Sequence, residues 1–199
     1  MIQQTAAVQQ PNAALSGARR LALQGGIAVA ATAFVALCAH ISIPLGFTPV
    51  PITLQPFAVL LLGLVLAPQL SFAALCLYLL EGAAGMPVFS PHGPGGIAQL
   101  FGPTGGYLMA APFAATAAGL IYRSGKRKLV YAIAGAAVGD LMLLAFGAVW
   151  LGMWAHTDFS VLMHESVIPF LATDAAKVVA AAACAQVFAS FSNRAARTE

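Results

Sequence analysis

Charge is the scarcest thing in this chain. Of 199 residues, nine are Lys or Arg and six are Asp or Glu, so 8% are charged while 60% are hydrophobic. An average soluble domain carries about 25% charged residues, and a chain this long needs more polar surface in water than these side chains supply. An ordinary soluble domain is excluded, and a membrane protein is the expectation. Cysteine is sparse too. Cys38, Cys76 and Cys184 stand apart in apolar runs with no C-x-x-C, which excludes a disulfide framework or a thiolate zinc site. The four histidines are dispersed and no H-E-x-x-H occurs, so no metal site is expected. There is no G-x-x-x-x-G-K-[ST], hence no ATP site, and no G-x-S-x-G or second carboxylate beside a base, hence no hydrolase. The chain is not expected to be an enzyme, to carry a resident cofactor or to bind nucleic acid.

What is present in quantity is apolar sequence. Six segments stand out, near residues 21–43, 52–67, 69–86, 103–122, 129–153 and 166–191. Covering a hydrocarbon core of about 30 Å takes roughly 17–25 helical residues, with the second segment at the short end. Alanine and leucine dominate, and the ten-residue alternation of a membrane barrel is missing. Residues 1–18 are polar and without apolar periodicity, so they are expected to be a disordered cytoplasmic tail and not a signal peptide. Residues 19–193 form one six-helix membrane domain, and 194–199 a second short cytoplasmic tail.

The cations orient the segments. Arg19 and Arg20 precede the first segment, Arg123, Lys126, Arg127 and Lys128 lie between the fourth and fifth, and Arg194 and Arg197 follow the sixth. With six spans, all eight fall on one side, and the three opposite loops contain no Lys or Arg. This positive-inside pattern puts both termini in the cytoplasm. The expected fold is therefore an all-α, multi-pass integral membrane protein of six transmembrane helices; the resemblance described below adds the expectation of a bacterial cytoplasmic (inner) membrane.

The ninth cation, Lys177, sits inside the last segment, "FLATDAAKVVAAA", three residues after Asp174. At i,i+3 the two share a helix face. Each charge at mid-helix costs about 2.5–3.5 kcal/mol on insertion scales, and a mutual salt bridge recovers only part of that. Intramembrane charges usually face a bundle interior or a wet cavity and mark a site; the alternative is a purely structural pair. Counting from the outer end near Ser166 places Asp174 eight residues down, or ~12 Å. Two further acids, Glu81 and Asp140, stand near or within apolar segments. Glu81 is within snorkelling reach of the outer interface. Asp140 is either a second polar wall of the site or a helix–helix hydrogen bond.

The outer loops carry no cations but have strong character. "IPLGFTPVPITLQP", residues 43–56, holds four prolines, and "GMPVFSPHGPGGIAQLFGPTGGYL", residues 85–108, is rich in Gly and Pro with Phe89, Phe101 and Tyr107 among them. Proline stiffens such backbone and glycine permits close approach to a ligand. Irregular apolar backbone of this length is costly against lipid and fits better folded over a cavity.

"FTPVPITLQ", "GMPVF", "GPTGGYL" and "PFLATDAAK", in this order and at these distances, resemble the BioY family, the biotin-binding S components of energy-coupling factor (ECF) transporters. The resemblance covers residues 20 to 191. It implies six transmembrane helices with a loop-capped substrate pocket near the outer face. It also implies a biotin site containing an Asp and a Lys of the last helix, which map onto Asp174 and Lys177. Family members often carry Pro-Gly before that Asp, where this chain has Ala172 and Thr173. Biotin offers two ureido N–H donors, one carbonyl acceptor, an apolar thioether ring and an anionic valerate tail. A carboxylate at Asp174 accepts and an ammonium at Lys177 donates. Tyr107 and Phe89 are candidates to pack on the rings, Gln55 and Thr104 to supply neutral hydrogen bonds, and Asp140 to extend the polar wall.

The resemblance further implies partners: a transmembrane T component and two ATP-binding cassette ATPase subunits, in the lipid bilayer, with self-association left open. The small residues Ala28, Thr32 and Ala36, four apart on the first helix, are candidates for a helix contact face. Two other functions remain in view. A stand-alone carrier of a small organic anion would use Asp174 as a proton site with Lys177 tuning it. A membrane scaffold or enzyme subunit would use the pair structurally.

Overall fold

The computed structural model describes residues 11–156 and 158–195. Eight helices and one two-stranded ribbon follow in chain order: α1 (Pro11–His40), β1 (Ser42–Ile43), β2 (Ile52–Thr53), α2 (Gln55–Val65), α3 (Pro68–Ala83), α4 (Gly96–Leu100), α5 (Gly105–Ser124), α6 (Leu129–Ala155), α7 (Phe159–Ser166) and α8 (Leu171–Ala195). Three of them, over Gly17–His40, Leu129–Ala155 and Leu171–Phe191, are long and apolar enough to cross a bilayer by length and composition. Their exposed faces carry large apolar side chains such as Leu37, Val149 and Phe188. These are the surfaces of an integral membrane protein.

The structure departs from the sequence reading at three places. Helix α1 reaches back to Pro11, inside the stretch 1–18 expected to be disordered; Pro at the first helical position followed by Ala13, Ala14 and Leu15 favours that start. Residues 1–10 and 196–199 of the two expected tails lie outside the described residues. The second segment is helical only over the 11 residues Gln55–Val65, about 16 Å at 1.5 Å per residue. Its length is tolerable because it is the central helix. Ala58, Val59, Leu60, Leu61 and Leu64 are all buried, so the helix itself is surrounded by protein, and the non-helical residues 51–54 leading into it are half-buried.

The third departure matters most for the site. The last segment is not one helix from residue 166. It breaks after Ser166 and restarts at Leu171. Pro169 accounts for it: it has no N–H to continue a helix, and a proline disfavours helical backbone at the residue before it. The new helix is under way at Asp174, whose N–H donates to the Phe170 carbonyl at 2.8 Å.

Packing relies on small residues, because lipid tails compete equally for apolar side chains. α5 buries Ala110, Ala111, Ala114, Ala115 and Ala118, and α6 answers with Ala132, Gly135, Ala136 and Gly139. At Gly63 a Cβ would lie 2.3 Å from the Ala115 carbonyl oxygen, so only glycine lets α2 and α5 meet this closely. On α1, Ala28 and Thr32 face inward. Ala28 packs in a cluster with Ala31 and Ala74 of α3, and the Thr32 hydroxyl lies 3.2 Å from a Glu81 carboxylate oxygen of α3. This part of the expected contact face is therefore used within the chain itself.

Candidate ligand site

The three loops that lack cations gather at one end of the bundle and enclose a cavity of about 70 Å³. Small-molecule sites usually fall at roughly 300–1,000 Å³, so this cavity is tight and the loops have to move apart before a whole small-molecule ligand fits. Each loop is stitched to its neighbours. β1 and β2 pair antiparallel, Ser42 with Thr53 and Ile43 with Ile52, and hold the proline-rich loop between them. From that loop the Thr48 hydroxyl donates to the Glu165 carbonyl in α7 at 2.8 Å. The Tyr107 hydroxyl on α5 donates to the Ser166 carbonyl at 2.9 Å, which secures the helix break. The Trp150 indole N–H on α6 donates to the Gly102 carbonyl at 2.8 Å. The Tyr78 hydroxyl on α3 donates to the Val88 carbonyl at 3.0 Å. These four ties fix the loops relative to one another.

Apolar walls come from Val50, Val59, Leu108, Leu143, Leu144 and Phe170. Pro112 adds one more feature: having no N–H, it cannot satisfy the carbonyl of Leu108, a lining residue one turn earlier. The charged pair lies in the lining. Lys177 Nζ donates to Asp174 Oδ1 at 2.6 Å, and both side chains are less than a tenth exposed. Because α8 restarts at Leu171, Asp174 lies in the first turn of that helix and not eight residues down a continuous one. There the carboxylate also benefits from the positive end of the helix dipole. Thr173, one of the two residues standing in place of Pro-Gly, turns its hydroxyl to the Phe170 carbonyl at 2.9 Å.

Of the residues singled out from the sequence, Asp174, Lys177, Tyr107, Gln55 and Thr104 line this one cavity, although they come from three separate stretches of chain. The Tyr107 hydroxyl is already committed to Ser166, so this residue has its ring to offer. That ring packs against Gly147 of α6, where a Cβ would come within 2.1 Å of it. Phe89 and Asp140 do not line the cavity. Phe89 is buried edge-to-face on Tyr78, with ring centroids 5.4 Å apart. Flanked by proline-bound loop on either side, it finds its apolar partner in α3 and anchors the loop there. Asp140 is buried on α6 about one turn from the lining residues Leu143 and Leu144. It lies within electrostatic range of Asp174 and Lys177, and one of its carboxylate oxygens has no hydrogen-bond partner among the described residues.

Sequence reasoning missed Thr53, Ser90 and Gln99, which also line the cavity. Gln99 is almost fully buried. Its amide N–H donates to the Ser90 carbonyl at 3.3 Å, and its amide oxygen accepts from the Gly95 N–H at 3.2 Å, so it folds the second loop upon itself. The Ser90 hydroxyl is buried without a partner among the described residues. The available signal was polarity out of place: Gln99 is the one amide in the loop from 85 to 108.

Comparison with known proteins agrees with this architecture. The profile described as the BioY family matches residues 11–194. A protein of Pyrococcus horikoshii named as a probable biotin transporter BioY is 40% identical over 156 residues, covering 77% of this chain and 90% of its own. The biotin transporter BioY2 of Lactococcus lactis subsp. cremoris is 38% identical over 147 residues, covering 74% and 79%. A crystal structure of the S-component for biotin from an ECF-type ABC transporter superposes with a TM-score of 0.79 over 86% of this chain and 93% of that one, at 23% identity. By its sequence, matched from residue 11 to residue 194, this chain belongs to the BioY family.

Proposed function

We propose that this chain captures biotin in the cavity around Asp174 and Lys177 and serves as the substrate-specific subunit for its uptake across a bacterial cytoplasmic membrane. The observation that carries this reading is the buried ion pair opening onto an apolar cavity ringed by neutral hydrogen-bonding groups. A pair with a purely structural role gains nothing from facing a cavity. A ligand with an apolar body, two N–H donors and anionic character uses every part of it. In this reading Asp174 accepts a ligand N–H, Lys177 donates to a ligand oxygen, and the Tyr107 ring packs against the ligand body. Gln55, Thr104 and the free hydroxyl of Ser90 add neutral hydrogen bonds. Asp140, behind the lining, balances the Lys177 charge once the ligand draws on Asp174.

The topology that goes with this function has six spans, the loop end outside and the basic end in the cytoplasm, as the distribution of Lys and Arg argues. The chain has no nucleotide motif of its own, so the energy for transport comes from partners: a transmembrane T component and two ATPase subunits. Isothermal calorimetry of detergent-purified protein with biotin tests the proposal. Tight binding by the wild type, lost in both Asp174→Asn and Lys177→Met, supports it. A folded wild type that releases no heat with biotin overturns it.

A further inference from the structure

At the end of the bundle away from the cavity, we propose that the niche between the α5–α6 turn and α8 holds the phosphate of an anionic phospholipid headgroup. The niche is lined by Lys126, Arg127, Gln186, Ala189 and Ser190. Arg123, Lys126, Arg127 and Lys128 put four cations within six residues, and no salt bridge engages any of them among the described residues. Such a concentration of one sign on a folded turn repels itself and calls for a counter-charge.

The turn is held in shape at a cost. Lys126 and Arg127 take consecutive left-handed backbone conformations, φ 52° and 57°, which side-chain-bearing residues rarely adopt. Several bonds hold it. The Arg127 N–H donates to the Tyr122 carbonyl at 3.1 Å and the Lys128 N–H to the Gly125 carbonyl at 3.2 Å. From α8, the Gln186 amide donates to the Arg127 carbonyl at 3.0 Å and to the Tyr122 hydroxyl at 3.1 Å. Gln186 thus fixes the turn against α8 and forms one wall of the niche, and Ser190, one turn on, brings a hydroxyl to the same wall.

The surroundings select a lipid. Leu129, Val130 and Tyr131, directly after the turn, and Val187, Phe188 and Phe191, beside the niche on α8, are exposed. A basic niche bordered by exposed apolar side chains at the end of a membrane-spanning bundle offers a phosphate contact above and acyl-chain contact below. Cationic pockets between helices at a membrane surface recognise acidic headgroups in this manner. The inference rests on the membrane-spanning reading of the chain and is independent of what fills the cavity at the other end.

The test is thermal unfolding in nanodiscs of phosphatidylcholine, with and without a minority of phosphatidylglycerol. The wild type is expected to gain roughly 5 °C from the anionic lipid. Lys126→Gln/Arg127→Gln should lose that gain while melting normally in phosphatidylcholine alone. Arg19→Gln/Arg20→Gln removes the same charge at the same end but outside the niche, and should keep it. If the double turn variant does not fold, Ala189→Glu places a carboxylate in the niche without touching the turn and should also lose the gain. Equal loss in the Arg19/Arg20 variant would overturn the niche in favour of a diffuse surface potential. The same gain from inorganic phosphate in pure phosphatidylcholine would overturn a lipid source. No gain in the wild type, with stabilisation only on adding ATPase and T-component partners, would overturn it in favour of a protein contact.

Discussion

At the loop end of the bundle, nine of the twelve prolines are found: Pro44, Pro49, Pro51 and Pro56 around the ribbon, Pro87, Pro91, Pro94 and Pro103 in the second loop, and Pro169 at the break before α8. At the opposite end lie seven of the cations among the described residues, and helices are joined by short turns, two residues between α2 and α3 and four between α5 and α6. The two ends solve different problems. Stiff, uncharged backbone stitched through Thr48, Tyr107, Tyr78 and Trp150 builds a tight cavity. The α5–α6 turn carries three cations, which support the proposed topology and headgroup contact; at this end Arg123 also caps the end of α2 by donating to the Leu66 carbonyl at 2.7 Å. Ligand chemistry and orientation are thus assigned to opposite ends, and changes at one end should leave the other's property alone.

The largest effects belong to the charge that breaks this division, Lys177, the one cation held with the cavity. Asp174→Asn or Lys177→Met leaves a buried charge without its partner and removes a proposed ligand contact. Each should weaken biotin binding by about 2–5 kcal/mol, roughly 30-fold to several thousand-fold. Calorimetry reads this directly. The double variant Asp174→Leu/Lys177→Met should still fold, since a buried pair can be exchanged for apolar residues at little cost, but it should not bind. A double variant that binds normally would make the pair structural and erase the contrast between the ends.

Next come the residues that hold the frame. Gly147→Val drives a side chain into the Tyr107 ring, an overpacking expected to cost about 1–3 kcal/mol. Tyr107→Phe removes the bond to Ser166 and should cost about 1 kcal/mol of stability. Both changes should weaken biotin binding, because the break before α8 positions Asp174. Unfolding and binding measured together would show the two losses moving in parallel. Ser90→Ala is the converse case. Its buried hydroxyl has no partner in the described chain, so its loss should leave stability unchanged or slightly higher. Binding should still weaken by roughly 2–12-fold if the ligand uses that hydroxyl.

The legibility of the two ends differs in the same way. Hydropathy marked the helices, and the cations marked the end where α1 begins and α5 meets α6, because both are periodic or one-signed signals that survive without tertiary structure. The site was readable where it used residues out of character for oil, Asp174 and Lys177, and where quoted loop motifs carried a family resemblance to Gln55, Thr104 and Tyr107. It was not readable where position depends on packing. Phe89 looked like a ligand-facing aromatic but met Tyr78 first. Gln99 and Ser90 are placed by a loop that closes on itself. The break at Pro169 was available from the backbone rule for proline, but the unbroken apolar run around it concealed the restart at Leu171.

The smallest effect sharpens the comparison from the basic end. Arg127 holds a left-handed backbone conformation at φ 57°, which glycine adopts freely. Arg127→Gly relieves that strain but loosens the unfolded chain, so the net gain should be only ~0.5–1 kcal/mol. It should be read in pure phosphatidylcholine, where no anionic headgroup competes for the lost guanidinium. Biotin affinity should not move, because the residues bonded to this turn, Tyr122 and Gln186, do not line the cavity. A change in affinity would mean that the α5–α6 turn and the cavity communicate along α5 or α8, and the separation of tasks between the two ends would have to be given up.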